Sequence, residues 1–405
     1  MTIGWISQAL PYLPTRGGFR LYGANLVRQL SRRHHIELIS LLLDDDRNHL
    51  NWARNYCTSI TTIAPDTRRI LLPFNLLSSY LAGRPIRSRG EIHRIVKERS
   101  PHWDVVHVEG SFIAGLMPQG LNIPQVLSVH DSEILRCQQM LQCGLPLKQR
   151  AYYRFRQVIE PRYEKLVYPR FERTVVVAEE DRRVLQRHVP NCRPMVISMG
   201  TDTEYYHPVL VQKQEASIVF HGNLSYPPNI RAAVEFANEI LPLVRRKIPD
   251  AGFHLVGANP EREVRALASQ PGIQLSADLE DLRASVCAAR VYASAVRHGS
   301  GLKNKIIEAM AMRLPVVCYP GSASGIDCVS GTHLLVAGTS AEFAALIVEL
   351  LRNPLRAEEI ASAGRGLVEE KYSWESRARM YEQLYAELMA ERQNNVNQTV
   401  PAGGE

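Results

Sequence analysis

Short, continuously apolar runs recur along the chain, each followed by a stretch long enough for a helix, and this alternation is the strongest constraint on its fold. IGWIS, IELISLLL, DVVHV, PQVLSVH, TVVVAE and MVISMG fall within the first 200 residues. A strand that is apolar on both faces must be covered on both, as in a parallel sheet with helices on either side. Helical patterns occupy the gaps: GGFRLYGANLVRQLSRR follows the first run, and residues 147–173 read as one long helix that Pro161 is expected to kink or split. After TDTEYYHPVLVQKQEAS the pattern restarts with IVFHGNL, AGFHLVGANP, VCAARVYAS and LPVVCYP, again separated by helical segments. The expectation is α/β with two doubly wound domains, residues 1–205 and 206–374. A helix over 375–392 is expected to pack on either domain, the N-terminal one included, and the polar tail 393–405 to lack structure.

With 405 residues, 45% of them hydrophobic, the chain can bury two cores. It has no apolar run of about 18 residues, the length a spanning helix requires. MTIGWISQAL enters a strand pattern without a basic leader, so it does not read as a signal peptide. The seven cysteines show no metal-binding spacing and read as reduced thiols of a cytoplasmic protein. Charge is divided unevenly: residues 1–202 carry 28 Lys or Arg against 18 Asp or Glu, and the remainder 20 against 23. A basic first half is compatible with a polyanionic partner, an anionic membrane surface or plain solubility. No zinc-finger, RNP or KH pattern supports a nucleic-acid partner.

Doubly wound sheets bind ligands beyond the carboxyl ends of their strands, and two such domains facing one another would enclose a cleft. VYAS ends one strand, AVRHGSG makes a loop, and a helix is expected from about Leu302. Backbone N–H groups at such a helix start, with Lys305 beside them, suit a phosphate. Glu308 is a candidate acceptor for sugar or ribose hydroxyls. The plainer reading is that Lys305 and Glu308 form an i,i+3 surface pair. Gly17 and Gly18 in PYLPTRGGFRLYG would let a ligand approach the backbone, or would merely loosen a loop. His130 closes a strand beside Asp131 and Glu133, where it can orient a hydroxyl, share a proton or simply brace the loop. The other histidines lack metal spacing, and no Gly-x-Ser-x-Gly elbow supports a hydrolase triad.

Several pieces together carry a resemblance: GG at 17–18, VHDSE at 129–133, VVVAEED at 175–181, ISMGTDTEYYHP at 197–208, FHGNLSYPPN at 220–229, HLVGANP at 254–260 and GLKNKIIEAMAMRLPVV at 301–317. Over essentially its whole length the chain resembles the retaining glycosyltransferases of family 4 (GT4), and more narrowly those of bacterial exopolysaccharide clusters. The resemblance implies the GT-B architecture, two Rossmann-like domains across a cleft. It also implies a nucleoside-diphosphate sugar donor, a glycan or polyprenyl-linked acceptor, and no tightly bound cofactor or essential metal. Glu308 matches the glutamate that contacts ribose, and His130 the histidine near the transferred sugar. Two departures stand out. Ser300 replaces the usual glutamate eight positions before Glu308, and Asn223 follows Gly222 where many relatives carry arginine. Lys305, Arg297 and the backbone of Gly299, Ser300, Gly301 and Leu302 are the expected compensating phosphate contacts. A nucleotide-sugar epimerase of the same architecture and a non-catalytic glycan- or nucleotide-binding protein are the alternatives.

Overall fold

The strands of the described residues form two sheets, seven and six strands wide, in which every pairing is parallel. The structure is a computed structural model, which describes residues 1–15, 18–64, 86–142, 147–297 and 304–399. The first sheet contains β1 (Thr2–Ser7), β2 (His35–Leu41), β3 (Ser59–Ile63), β4 (Val105–Glu109), β5 (Gln125–His130), β6 (Arg173–Val176) and β7 (Pro194–Val196), in the order β3-β2-β1-β4-β5-β6-β7. The second contains β8 (Ser217–Asn223), β9 (Gly252–Ala258), β10 (Ile273–Ala277), β11 (Val291–Ser294), β12 (Val316–Cys318) and β13 (Leu335–Val336), in the order β10-β9-β8-β11-β12-β13. Each order reverses direction once, between β1 and β4 and between β8 and β11. The sequence therefore folds as two Rossmann-like α/β units, as its alternating pattern predicts.

The chain divides into one unit of Met1–Met199 with the segment from Arg377 onward, and a second of Gly200–Ser376. Central strands β1, β4 and β5 are buried along nearly their whole length, and Ile6, Val106, Val108 and Leu127 build the first core. Ile218, Phe220, Leu255, Tyr292 and Val317 build the second. Edge strands β3 and β10 are only partly buried, and neither is a continuous apolar run. That is why the apolar-run pattern passes over them.

One expectation is narrowed and one is corrected. The helix Leu147–Val167 is not split at Pro161 but runs through it, followed by a 3-10 turn at Tyr168–Arg170. One missing N–H removes a single ladder bond, and burial of Ile159, Tyr163 and Val167 holds the segment together on either side of the proline. The last helix, Trp374–Thr399, continues past the expected start of the tail at 393, because NNVNQT contains neither glycine nor proline to end it. Proline acts differently at Pro242. Between the helical stretches Pro227–Glu235 and Leu241–Arg245 the chain forms a π turn over Phe236–Ile240, where a proline cannot supply the usual i→i−4 donor.

The helix from Arg377 is tied to the first sheet by buried hydroxyls. Tyr22 donates to the Ile197 carbonyl at 2.9 Å, its oxygen lies 3.0 Å from the Tyr381 hydroxyl, and Ser128 Oγ lies 2.8 Å from Tyr381. Ser128 donating to Tyr381, and Tyr381 to Tyr22, satisfies the whole chain in one direction. Tyr385 meets His107 Nδ1 at 2.6 Å. Tyr381→Phe should therefore lower the stability of this unit by about 1–2 kcal/mol, because two buried oxygens lose a partner. Urea denaturation followed by circular dichroism measures this; an unchanged midpoint would mean that Tyr22 and Ser128 satisfy each other without Tyr381.

Candidate functional site

Each unit gathers polar side chains at the carboxyl ends of strands beside its topological switch point. In the second unit, β8 delivers His221 and Gly222, and the helix Asn304–Ala311 delivers Lys305 and Glu308. His221 is buried, and its Nε2 lies 2.8 Å from Glu308 Oε2. The acceptor-only carboxylate requires the proton to sit on that nitrogen. Glu308 also faces the half-buried Tyr206, whose phenol is pushed well above its ordinary range by burial first and by the Glu308 charge second. It therefore stays protonated. A carboxylate has about four lone-pair sites, so these neighbours leave acceptor capacity on Glu308.

Lys305 bonds the Asn229 side-chain oxygen and lies 5.4 Å from the Phe220 ring centroid. Asn229 in turn donates to the Asn223 carbonyl at 2.7 Å, and the exposed Asn223 side chain accepts from Ser225 N and Oγ. Glycine is required where these strands end. Gly222 and Gly257 are register partners, and a Cβ on Gly257 would lie 1.8 Å from the Gly222 carbonyl oxygen.

In the first unit a cavity of about 770 Å³ lies over the ends of β4 and β5, lined among others by Gly18, Phe19, His130, Glu133, Arg136 and Arg156. His130 adopts a left-handed backbone (φ 65°) at the strand end, and its ring packs between Phe19 and Tyr22. Behind it lies buried Glu109, with Oε1 at 3.6 Å from His130 Nε2.

Charged side chains of both signs line this cavity, and further acids lie close by. Arg156 bonds Glu133 at 2.6 Å and Glu160 at 2.5 and 2.8 Å, so one guanidinium serves two carboxylates. Glu164 accepts from the Glu133 backbone N at 2.8 Å at the start of the helix Glu133–Gln142, and burial pushes its carboxyl up to about 8. Asp181 accepts from Ser132 N at 2.8 Å and is raised to about 6, again chiefly by burial.

Two family profiles divide the chain: Glycosyltransferase Family 4 matches residues 16–205, and Glycosyl transferases group 1 matches 215–353. The chain is a GT-B-fold glycosyltransferase related to the family 4 sugar transferases. It is 20% identical over 380 residues to an uncharacterized 44.6 kDa protein in the cps region of Klebsiella pneumoniae, covering 91% of this chain and 95% of that one. A GDP-mannose-dependent monoacylated alpha-(1-6)-phosphatidylinositol monomannoside mannosyltransferase of Corynebacterium glutamicum is 28% identical over 173 residues, 40% of this chain and 42% of the relative. Among solved structures, Anabaena HepE in complex with UDP and glucose superposes with a TM-score of 0.59 at 12% identity, covering 95% of this chain and 99% of that one.

Of the residues singled out in its sequence, this glycosyltransferase brings Gly222, Asn223, Lys305 and Glu308 into one group. Arg297 is turned to other partners: it makes a two-nitrogen contact with Glu235 at 2.7 and 3.0 Å and lies over the Tyr319 ring. Gly18 opens the helix Gly18–Leu30, with open space where a Cβ would sit. Gly17, Gly299, Ser300, Gly301 and Leu302 lie outside the described residues. Sequence reasoning assigned no role to His221, Glu109 or Arg156. His221 and Glu109 each sit at the end of an apolar run, which is the signal that would have found them. Arg156 is one of many arginines in its helix and carries no such mark. Among the described residues no group of three or more His, Cys, Asp or Glu is arranged to hold a metal, and the six described cysteines are unpaired.

The Glu164 carboxyl predicts a pH signature. Its folded value of about 8 exceeds the ordinary glutamate value of 4.5, so the native state binds the proton more tightly than the unfolded state. The stabilising contribution is complete below about pH 4.5 and is lost as pH rises to about 8. Glu164→Gln, a neutral isostere, should lose this dependence and gain stability relative to the parent between pH 5 and 8. Denaturant midpoints of both proteins across that range test it, and parallel curves would refute the assignment.

Proposed function

We propose that this glycosyltransferase moves a sugar, with retention of anomeric configuration, from a nucleoside-diphosphate sugar to a glycan or polyprenyl-linked glycan in cell-surface polysaccharide synthesis. The observation that carries the reading is Glu308, oriented by His221 and with acceptor capacity to spare, one turn beyond Lys305 at the strand ends of the second unit. In this reading Glu308 accepts from the ribose diol, and Lys305 with Gly222 and Asn223 receives the diphosphate. Arg297, held by Glu235 and partly exposed, remains a candidate for a further phosphate contact. Departure of the nucleoside diphosphate concentrates negative charge on the leaving phosphate while the sugar becomes oxocarbenium-like. A cation already placed at the site stabilises that charge with little rearrangement. His130 in the first unit serves the sugar and acceptor side. UDP in the HepE structure, GDP-mannose in the name of the Corynebacterium relative and the cps region of the Klebsiella relative are in keeping with this assignment.

Glu308→Gln keeps helix propensity but replaces a charged acceptor with a neutral amide. Donor affinity or turnover should fall by roughly tenfold or more, the scale of one charged hydrogen bond. Calorimetric titration with nucleoside diphosphates, alongside transfer kinetics, provides the test, and parental values in a folded variant would remove Glu308 from the ribose role.

The first unit also carries the proposed membrane contact. Among the described residues no helix is long and apolar enough to cross a membrane. The helix Leu147–Val167, however, exposes Leu147, Tyr152, Phe155, Val158 and Leu166 among the exposed cations Lys148, Arg150, Arg154, Arg162 and Lys165. Apolar and cationic side chains mixed on one helix suit the headgroup boundary of an anionic bilayer. Attraction of up to about 1 kcal/mol per placed charge weakens as salt rises. The protein should sediment with anionic vesicles at low salt and release at high salt, and equal behaviour with neutral vesicles would count against the contact.

A further inference from the structure

Glu109 is 1% exposed, and its two oxygens are treated differently by the fold. Trp5 Nε1 donates to Oε2 at 3.1 Å, and Ser7 Oγ, whose one proton is shared with the Ala9 carbonyl at 2.7 Å, lies 3.2 Å from the same oxygen. Among the described residues Oε1 has no hydrogen-bond partner, and neither has Nε2 of His130, itself 9% exposed; the two atoms face each other across 3.6 Å. A buried acceptor and a buried nitrogen, each unsatisfied, are costly apart and satisfied together. Closing the gap to hydrogen-bond length takes a shift of about 0.5 Å.

The surroundings preserve this juxtaposition. A Cβ at Gly23 would lie 2.3–2.6 Å from the Glu109 carboxylate, so the helix Gly18–Leu30 leaves the acid its space only by having glycine there. Phe19 and Tyr22 of that same helix pack on the His130 ring at 4.9 and 4.5 Å. On the far side His107 is kept neutral, pushed down to about 3 by burial and then by His130, and its Nδ1 is engaged by Tyr385.

We propose that Glu109 is a positioning residue for His130: its Oε1 takes the Nε2 proton and so leaves Nδ1 as the acceptor nitrogen for a sugar hydroxyl in the cavity. A neutral imidazole has one donor and one acceptor nitrogen, and the hydrogen bond made by one decides the role of the other. This inference rests on His130 serving the sugar, as proposed above, and its test separates the two claims.

Nitrogen-15 spectra of histidine-labelled protein near pH 8.5, with the His130 signals assigned by their loss in His130→Ala, report the tautomer directly. The expected result is an Nε2–H ring in the parent and a shift toward Nδ1–H in Glu109→Gln, whose amide N–H opposes the Nε2 proton. Turnover in Glu109→Gln should fall roughly tenfold or more, the scale of one charged hydrogen bond, with nucleoside-diphosphate affinity within about twofold of the parent. Gly23→Ala, which crowds the same carboxylate, should move the tautomer in the same direction. An Nδ1–H ring in the parent overturns the proposal, and that spectrum decides even if a variant fails to fold. An unchanged tautomer in Glu109→Gln overturns it equally. Full turnover by His130→Ala would instead remove His130 from the reaction, whatever the tautomer.

Discussion

A carboxylate that loses water must take its hydrogen bonds from the protein, and buried Glu109 in the first unit and partly buried Glu308 in the second both do so near the strand ends of this glycosyltransferase. Glu308 is held by His221 at 2.8 Å, and Glu109 by Trp5 and Ser7 with His130 beyond. In both cases an imidazole lies against the acid. Desolvating an anion is expensive, and a nearby donor ring offsets much of that cost while fixing which oxygen remains available.

Why the pairs fall where they do follows from topology. Parallel strands place all their carboxyl ends on one edge, and the reversal in strand order opens a gap there between diverging connections. Glu109 ends β4, the strand beside β1 at the first reversal, and Ser7 is its register partner. His221 lies near the end of β8, beside β11 at the second reversal. Glycines then admit the groups that must come close: Gly23 beside the Glu109 carboxylate, and Gly257 beneath the Gly222 carbonyl. These are contacts in which a methyl group would overlap backbone or carboxylate atoms, so their cause is steric rather than a matter of chain flexibility.

Much of this was legible in the sequence, and the boundary has physical causes. Central strands are buried on both faces, so their apolar runs name them directly. β3, β10 and β13 sit at or near sheet edges with mixed sequences such as SITTI and IQLSA, and their existence depends on a neighbour that local pattern does not reveal. Glu308 and Lys305 were visible from their place on a helix after a strand and from the family resemblance. Their partners were not, because His221 and Asn229 lie 87 and 76 residues away and only the sheet brings them near. Arg297 shows the converse: its place in the loop marked it as a phosphate contact, while Glu235, on a helix 62 residues earlier, already holds its guanidinium. Spacing identifies which charges are near a site, and only packing decides which of them are engaged.

The acids at and near the first cavity show the same competition decided by magnitude. Arg156 bonds both Glu133 and Glu160, Arg136 bonds Glu133 as well at 3.3 Å, and Glu164 lies close enough to both acids to feel their charge. Glu164 instead caps the start of the helix Glu133–Gln142, where the backbone dipole and a 2.8 Å N–H both favour its ionised form. That favour is typically up to about 2 kcal/mol in partly buried settings. Complete burial and two neighbouring acids oppose it, and the carboxyl titrates near 8, so desolvation wins. Near neutrality the helix that follows His130 is therefore capped mainly by a neutral acid, which accepts the backbone N–H without adding a further negative charge beside Glu133 and Glu160. Arg156 meanwhile bonds Glu133 and Glu160, so the charges that remain beside the cavity are held in ion pairs.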